Sequence, residues 1–252
     1  MQKKLNITVS EDESHQFAFY GPDHRILKQL QGDCVSINDE DLVHRVVRVV
    51  KLKIGERFIV FDRARHSLVE LISCSKHEIT ICILSCHENK VLQPKVTCLL
   101  PLLKKEALEE AVYSLAELGI NEIQLVATQK SRKDLIDKEM QRLQKITVAA
   151  AEQSKHYAFP LIYSVKNLQE CLKGLSLNSD KVVFDISGTS FFDIHKQILS
   201  QDKYIIVGPE GGLTIQELSM IKEHGFTVCS LTPTVLRALQ AVAVGAALFR
   251  IS

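Results

Sequence analysis

The chain has 252 residues, 46% hydrophobic and 24% charged. That is enough apolar material for one large domain or two modest ones, and it excludes a chain that is mainly disordered. Its 31 basic and 30 acidic residues leave a net charge of +1, so any contact with nucleic acid must come from local patches rather than from a general positive field.

The first residues, MQKKLNITVSEDESHQF, hold no apolar signal-peptide core. No apolar run reaches the roughly 18 residues a membrane span needs. The cytoplasm is therefore the expected location, with no membrane partner. Seven cysteines, odd in number and irregular in spacing, include no C-x-x-C. They are expected to be reduced and mostly in the core, with no metal site.

Asp39–Val50 predicts a short helix, with Asp39 as cap and Arg45 and Arg48 three apart on one face. Arg57–Asp62 is a strand. Ser67–Cys74 and Glu78–Ser85 alternate apolar and polar residues around Ser75-Lys76-His77, the pattern of a hairpin. Residues 1–86 thus read as a small barrel-like β domain, and the polar stretch 87–94 as a linker.

Residues 95–252 change to a βαβα pattern. Strands are expected at Lys95–Pro101, Glu122–Ala127, Lys181–Ile186, Lys203–Val207 and Thr227–Leu231. Helices are expected at Lys105–Leu118, ended by Gly119, and at Ile136–Ser154, and further helices follow the last two strands. Such alternation predicts an α/β fold with a mostly parallel sheet covered on both faces.

Three segments are candidates for chemistry. In YIIVGPEGGLTIQEL a buried strand runs into Gly208-Pro209-Glu210-Gly211-Gly212, and Thr214 and Glu217 form a capping box for the next helix. Ligands of open parallel sheets sit at the carboxyl ends of strands, where this loop lies. It carries no lysine, and Glu210 would repel a phosphate, so a neutral or cationic ligand suits it. A plain strand-to-helix turn without a ligand is equally compatible with the composition.

In CSLTPTVLRALQAVAVGAALFR, Thr232 can cap and Pro233 can open a helix that is apolar on nearly every face and must be buried all round, inside one subunit or between two. Arg237 is its single charge before Arg250. It is either a salt-bridge partner or a cation fixed at a site. Finally, Lys130, Arg132 and Lys133, with Lys155 at the end of the long helix, suit either helix capping or phosphate contact.

Taken in order, GPEGGL, the later L-x-P-x-x-L-R and the helix ending A-E-Q-S resemble the RsmE family. These are SPOUT-class methyltransferases that act on N3 of a uracil in 16S ribosomal RNA. The likeness spans almost the whole chain, and Gly208–Leu213 is its most specific part. It implies a PUA-like RNA-binding β-barrel followed by a trefoil-knotted parallel sheet, with the knot near residues 204–240, and a homodimer. It implies S-adenosyl-L-methionine as methyl donor, held by Val207, Gly208, Pro209, Glu210, Gly211, Gly212, Leu231 and Leu236. Arg237 would be the catalytic cation, stabilising the uracil anion. The 16S RNA or small ribosomal subunit would be met by Arg45, Arg48, Lys130, Arg132, Lys133 and Lys155.

The chain departs from the family pattern at several points. Thr232-Pro233-Thr234 replaces Gly-Pro-Arg, and Ala238-Leu239-Gln240 replaces Thr-Glu-Thr, which removes a carboxylate at 239. Ala151-Glu152-Gln153 with His156 replaces Cys-Glu-Gln followed by Arg, and Gln129-Lys130 stands where an acidic-basic pair is usual. Two other readings stay open on sequence: an RNA-binding protein that keeps the scaffold without turnover, and an α/β enzyme that takes a phosphorylated metabolite at a helix N-terminus.

Overall fold

The computed structural model describes residues 16–21, 30–194, 200 and 202–251. The chain divides into two units: Met1–Lys90 with Glu152–Ala158, and Val91–Ala151 with Phe159–Ser252.

The first unit is built on period-two alternation. Its strands are β1 (Phe17–Tyr20), β2 (Cys34–Ile37), β3 (Arg57–Phe61), β4 (Arg65–Cys74) and β5 (Ile79–Glu88), ordered β1-β3-β4-β5-β2. β1 runs parallel to β3, and the other pairs are antiparallel. Inward residues such as Phe58, Val69, Ile81 and Ile83 form its core with Leu42 and Val46. β5 extends to Glu88 because His87 and Glu88 pair with His66 and Arg65 of β4. A polar sequence thus continues a strand where a linker is expected from residue 87.

Helix α1 covers Glu40–His44, with the Asp39 side chain accepting from Leu42 N at 2.8 Å. It does not run on as α-helix to Val50. Arg45–Val50 (RVVRVV) widens into a π-helical turn, closed by Lys51 at φ 60°. Crowded β-branched pairs disfavour the tighter winding.

Glu152 is an anchor of this unit. It accepts from Arg45 Nη1 and Nη2 at 2.8 and 2.6 Å and from Tyr20 N at 2.9 Å. The Arg45 guanidinium also lies 5.1 Å from the Phe19 ring centroid. Glu152→Ala would strand a half-buried guanidinium and a backbone N–H. We expect a loss of about 2 kcal/mol, below the cost of a fully buried pair, measured as a lower midpoint in urea unfolding.

The second unit is a six-stranded, all-parallel sheet with the order β11-β9-β10-β6-β7-β8. Its elements are β6 (Lys95–Pro101), α2 (Lys105–Glu117), β7 (Glu122–Ala127), α3 (Asp137–Ser154), β8 (Leu161–Asn167), α4 (Leu168–Lys173), β9 (Asp180–Ser190), α5 (Phe191–Ile194), β10 (Asp202–Val207), α6 (Ile215–Glu223), β11 (Thr227–Ser230) and α7 (Ala238–Ile251). Apolar clusters cover both faces of the sheet, one built on Cys98, Leu100, Ile205 and Val207, the other on Leu99, Val126, Val183 and Ile206. Continuous apolar runs such as YIIV are what a strand covered on both sides requires.

β9 departs from regular pairing. Thr227 and Val228 of β11 face Val182 and Val183, but Cys229 faces Thr189. Residues 184–188 therefore lie outside the ladder with β11, although Phe184 still pairs with Val207 of β10. The bulge closes at Gly188, where a Cβ would lie 2.5 Å from Cys229 N and Val228 C.

The C-terminal helix begins at Ala238, five residues beyond the expected start at Pro233. Thr232 Oγ1 donates to Thr234 O at 2.7 Å instead of capping a helix, and 231–237 is an irregular loop. Within the single chain the helix buries Val242, Ala246 and Phe249 and leaves Val244 exposed.

The cysteines correct a further expectation. Cys98, Cys171 and Cys229 are buried, whereas Cys34 and Cys74 are exposed and Cys82 and Cys86 are half-buried. Burial pushes the Cys98 thiol up to about 12 and those of Cys171 and Cys229 up to about 11, which disfavours the nucleophilic thiolate. Among the described residues no group of three or more His, Cys, Asp or Glu could hold a metal ion, and no helix is long and apolar enough to cross a membrane.

Candidate active site

Strands β6, β7 and β8 succeed one another toward one edge of the sheet, while β10, β9 and β11 lie on the other side of β6. The direction of winding changes between β6 and β10, and a crevice opens at such a point outside the carboxyl ends of the strands. A cavity of about 660 Å³ lies there, within the range that holds a cofactor-sized ligand.

One wall is the 208–212 loop. Gly212 N donates to Pro209 O at 2.8 Å, closing a turn with Gly212 at φ +68°, a region that a side chain would strain. Two ties fix this loop to the segment after β7. Lys130 Nζ donates to Gly211 O at 2.9 Å, and buried Glu217 accepts from Gln129 N at 2.7 Å. The same Glu217 carboxylate accepts from Thr214 N at 2.9 Å, so the capping box is formed.

The other walls come from α2 (Glu106, Ala107, Glu110), the β9 bulge (Phe184, Asp185, Ile186) and the 231–241 segment. Val207, Gly208, Pro209, Glu210, Gly211, Gly212, Leu231, Leu236 and Arg237 all line this one cavity. Sequence reasoning missed the contributions of α2 and the bulge. Spacing cannot show that α2, following β6, stands beside a loop more than a hundred residues later.

Two residues behave differently from expectation. Arg237 is not a buried charge within a helix; it is exposed, on the loop ahead of α7. The Glu210 carboxylate does not stand free: its Oε1 accepts from Lys104 N at 3.0 Å, at the start of α2. Asp185 Oδ1 likewise accepts from Ser187 N at 2.9 Å and Ser187 Oγ at 2.6 Å. Glu106 and Glu110 carry no such partner among the described residues. The cavity thus presents four carboxylates against one guanidinium, an arrangement that favours a cation over a phosphate.

The basic residues are divided between the two units. Arg45, Arg48 and Lys155 belong to the first unit, and Lys130, Arg132 and Lys133 to the second. Arg45 is held by Glu152, and Arg132 by Glu139 at 2.9 and 2.8 Å. Lys133 donates to the carbonyls of Thr128 and Gln129, and Lys155 to Gln16 O at 2.7 Å. Arg48 is exposed.

Residues 90–250 match the family model of the RNA methyltransferase domain. Over 216 residues the chain is 30% identical to the ribosomal RNA small subunit methyltransferase E of Bacillus subtilis, covering 80% of this chain and 84% of that one. The chain belongs to the ribosomal RNA small subunit methyltransferase E family. Its likeness to the family member of Synechocystis is 26% over 250 residues, 96% of this chain and 81% of the relative. Among solved structures, the methyltransferase E of Neisseria gonorrhoeae bound to S-adenosyl methionine superimposes with a TM-score of 0.81, covering 92% and 96% of the two chains at 24% identity. That agreement extends the family fold to both units. Leu239 lines the cavity as well, with its apolar side chain packed on the core.

Proposed function

We propose that the protein transfers a methyl group from S-adenosyl-L-methionine to N3 of a uridine in 16S ribosomal RNA. The observation that carries this reading is the convergence of the glycine-rich loop, the 231–237 segment and a carboxylate-rich wall on one cavity. The fit to the donor rests on the same residues. Val207, Leu231 and Leu236 offer apolar walls for an adenine, and the backbone of 208–212 can meet it closely. Four carboxylates suit a ligand that carries positive charge and no phosphate. When bound, the donor supplies an electrophilic methyl on a sulfonium.

The chain's own residues have two remaining tasks. The imide nitrogen of uracil is a weak nucleophile until its proton leaves, so an acceptor must stand beside it. Glu210 and Asp185 are occupied by backbone and serine donors. Glu106 and Glu110, one turn apart on α2 and facing the cavity, remain to take the proton on a carboxylate oxygen. Arg237 lines the same cavity and can stabilise charge on the uracil oxygens as the proton departs.

The finer fold reading belongs with this function. A knot near 204–240 is part of this proposal, and so is a PUA-like RNA-binding role for the first unit, which its five-stranded sheet suits. Arg48 is the RNA-facing cation there, while Arg45, Arg132, Lys133 and Lys155 act chiefly by holding their segments in place. Exposed Ile186 and Val235 beside the cavity suit cover by a second copy of the chain.

The test is direct. Unmethylated small-subunit RNA is incubated with protein and S-adenosyl-L-methionine, digested and analysed by mass spectrometry. N3-methyluridine at one position is expected. RNA binding without any methyl transfer would instead mark a scaffold that has lost turnover.

A further inference from the structure

Outside the cavity, one pair of nucleophilic side chains is placed for chemistry. Cys34 on β2 and Cys82 on β5 are direct cross-strand partners, with their sulfur atoms 3.0 Å apart. Both lie on the outward face of the sheet: the neighbouring pair on that face is Ser36 and Thr80, whose hydroxyls are 3.3 Å apart, while Ile37, Ile81 and Ile83 point into the core. Ladder bonds flank the position, from Gly32 N to Ile83 O and from Ile83 N to Asp33 O. The two cysteines therefore occupy a non-hydrogen-bonded site, where opposed Cα atoms stand about 4.5 Å apart, inside the span a disulfide bridges. Cys34 is exposed, so a small reagent can reach it.

We infer that Cys34 and Cys82 form a modification site, a dithiol that a low-molecular-weight disulfide oxidises to an intramolecular bond. In the first step the Cys34 thiolate attacks the small disulfide, and one small thiolate leaves, taking up the proton Cys34 gave. In the second step the Cys82 thiolate attacks the Cys34 sulfur and the second small thiol departs. One protein disulfide and two small thiols result from two protein thiols and one small disulfide, so electrons balance. The bond fastens edge strand β2 to β5, the strand it already pairs with.

Oxidised glutathione is the probe. The full chain is incubated with it under native conditions, alkylated, and digested with trypsin without reduction. Loss of two thiols per chain is expected, with a Cys34–Cys82 linked peptide as the main new species. Fragment spectra must separate Cys82 from Cys86, since both lie in the tryptic peptide His77–Lys90. Cys34→Ser is expected to abolish the link, and hydrogen exchange at Cys34–Ile37 is expected to slow only in the oxidised wild type. A lasting glutathione adduct on Cys34 with Cys82 still alkylated, a link to Cys86, or an unchanged thiol count would each overturn the inference.

Discussion

Gly188→Ala is expected to cost more than about 3 kcal/mol and to abolish ligand binding with it. The new methyl would lie 2.5 Å from the backbone of Val228 and Cys229, and neither strand can yield as a flexible side chain would. Overpacking usually costs about 1–3 kcal/mol because side chains move aside; here two backbones must part. The bulge that Gly188 closes also presents Phe184, Asp185 and Ile186 to the cavity, so the damage reaches the site. Thermal unfolding and ligand titration should both move. A variant with the wild-type melting midpoint would show that β9 and β11 do not pass each other this closely.

Substituting Glu106 and Glu110 together by glutamine is expected to lower the methyl-transfer rate by about 10²–10⁴, the usual contribution of a positioned proton acceptor. The fold should be unaffected, because neither carboxylate carries a structural contact among the described residues. The deficit should shrink as pH rises, since the uracil imide ionises by itself in alkaline solution and no longer needs an acceptor. Equal rates for variant and wild type across the pH range would remove both residues from the mechanism. The single variants assign the role: the one that alone reproduces the pH-dependent loss identifies the acceptor.

The parallel sheet was readable because its strands are short, apolar on both faces and punctuated by breakers: Lys95–Pro101 and Glu122–Ala127 are found at those bounds. The Thr214–Glu217 capping box was equally readable, since both partners lie within four residues. β8 was not, because Leu161–Asn167 is an edge strand with mostly exposed side chains and no apolar run. The start of α7 was misread for a local reason: Thr232 and Pro233 have the right chemistry for a helix start, but Thr232 bonds Thr234 O and the chain stays irregular to Arg237.

The site divided along the same line. Its glycine-rich loop and the 231–237 segment announce themselves in sequence. Glu106, Glu110 and the β9 bulge do not, since they reach the cavity through the order of strands. The partner of Glu210 was invisible for the same reason: Lys104 is 106 residues away. The basic residues show the reverse case, for most of the cations that suggested a phosphate surface are bonded within their own unit. Register alone brought Cys34 opposite Cys82.

The cavity between the ends of β6 and β10 is where we propose that the methyl donor binds. Calorimetric titration of the protein with S-adenosyl-L-methionine tests it, with Gly212→Val, which forces a β-branched residue to φ +68°, as the control. One molecule bound per chain, with binding lost in a control that still folds, is the predicted result; absence of binding heat in the wild type, or undiminished affinity in Gly212→Val, would contradict it.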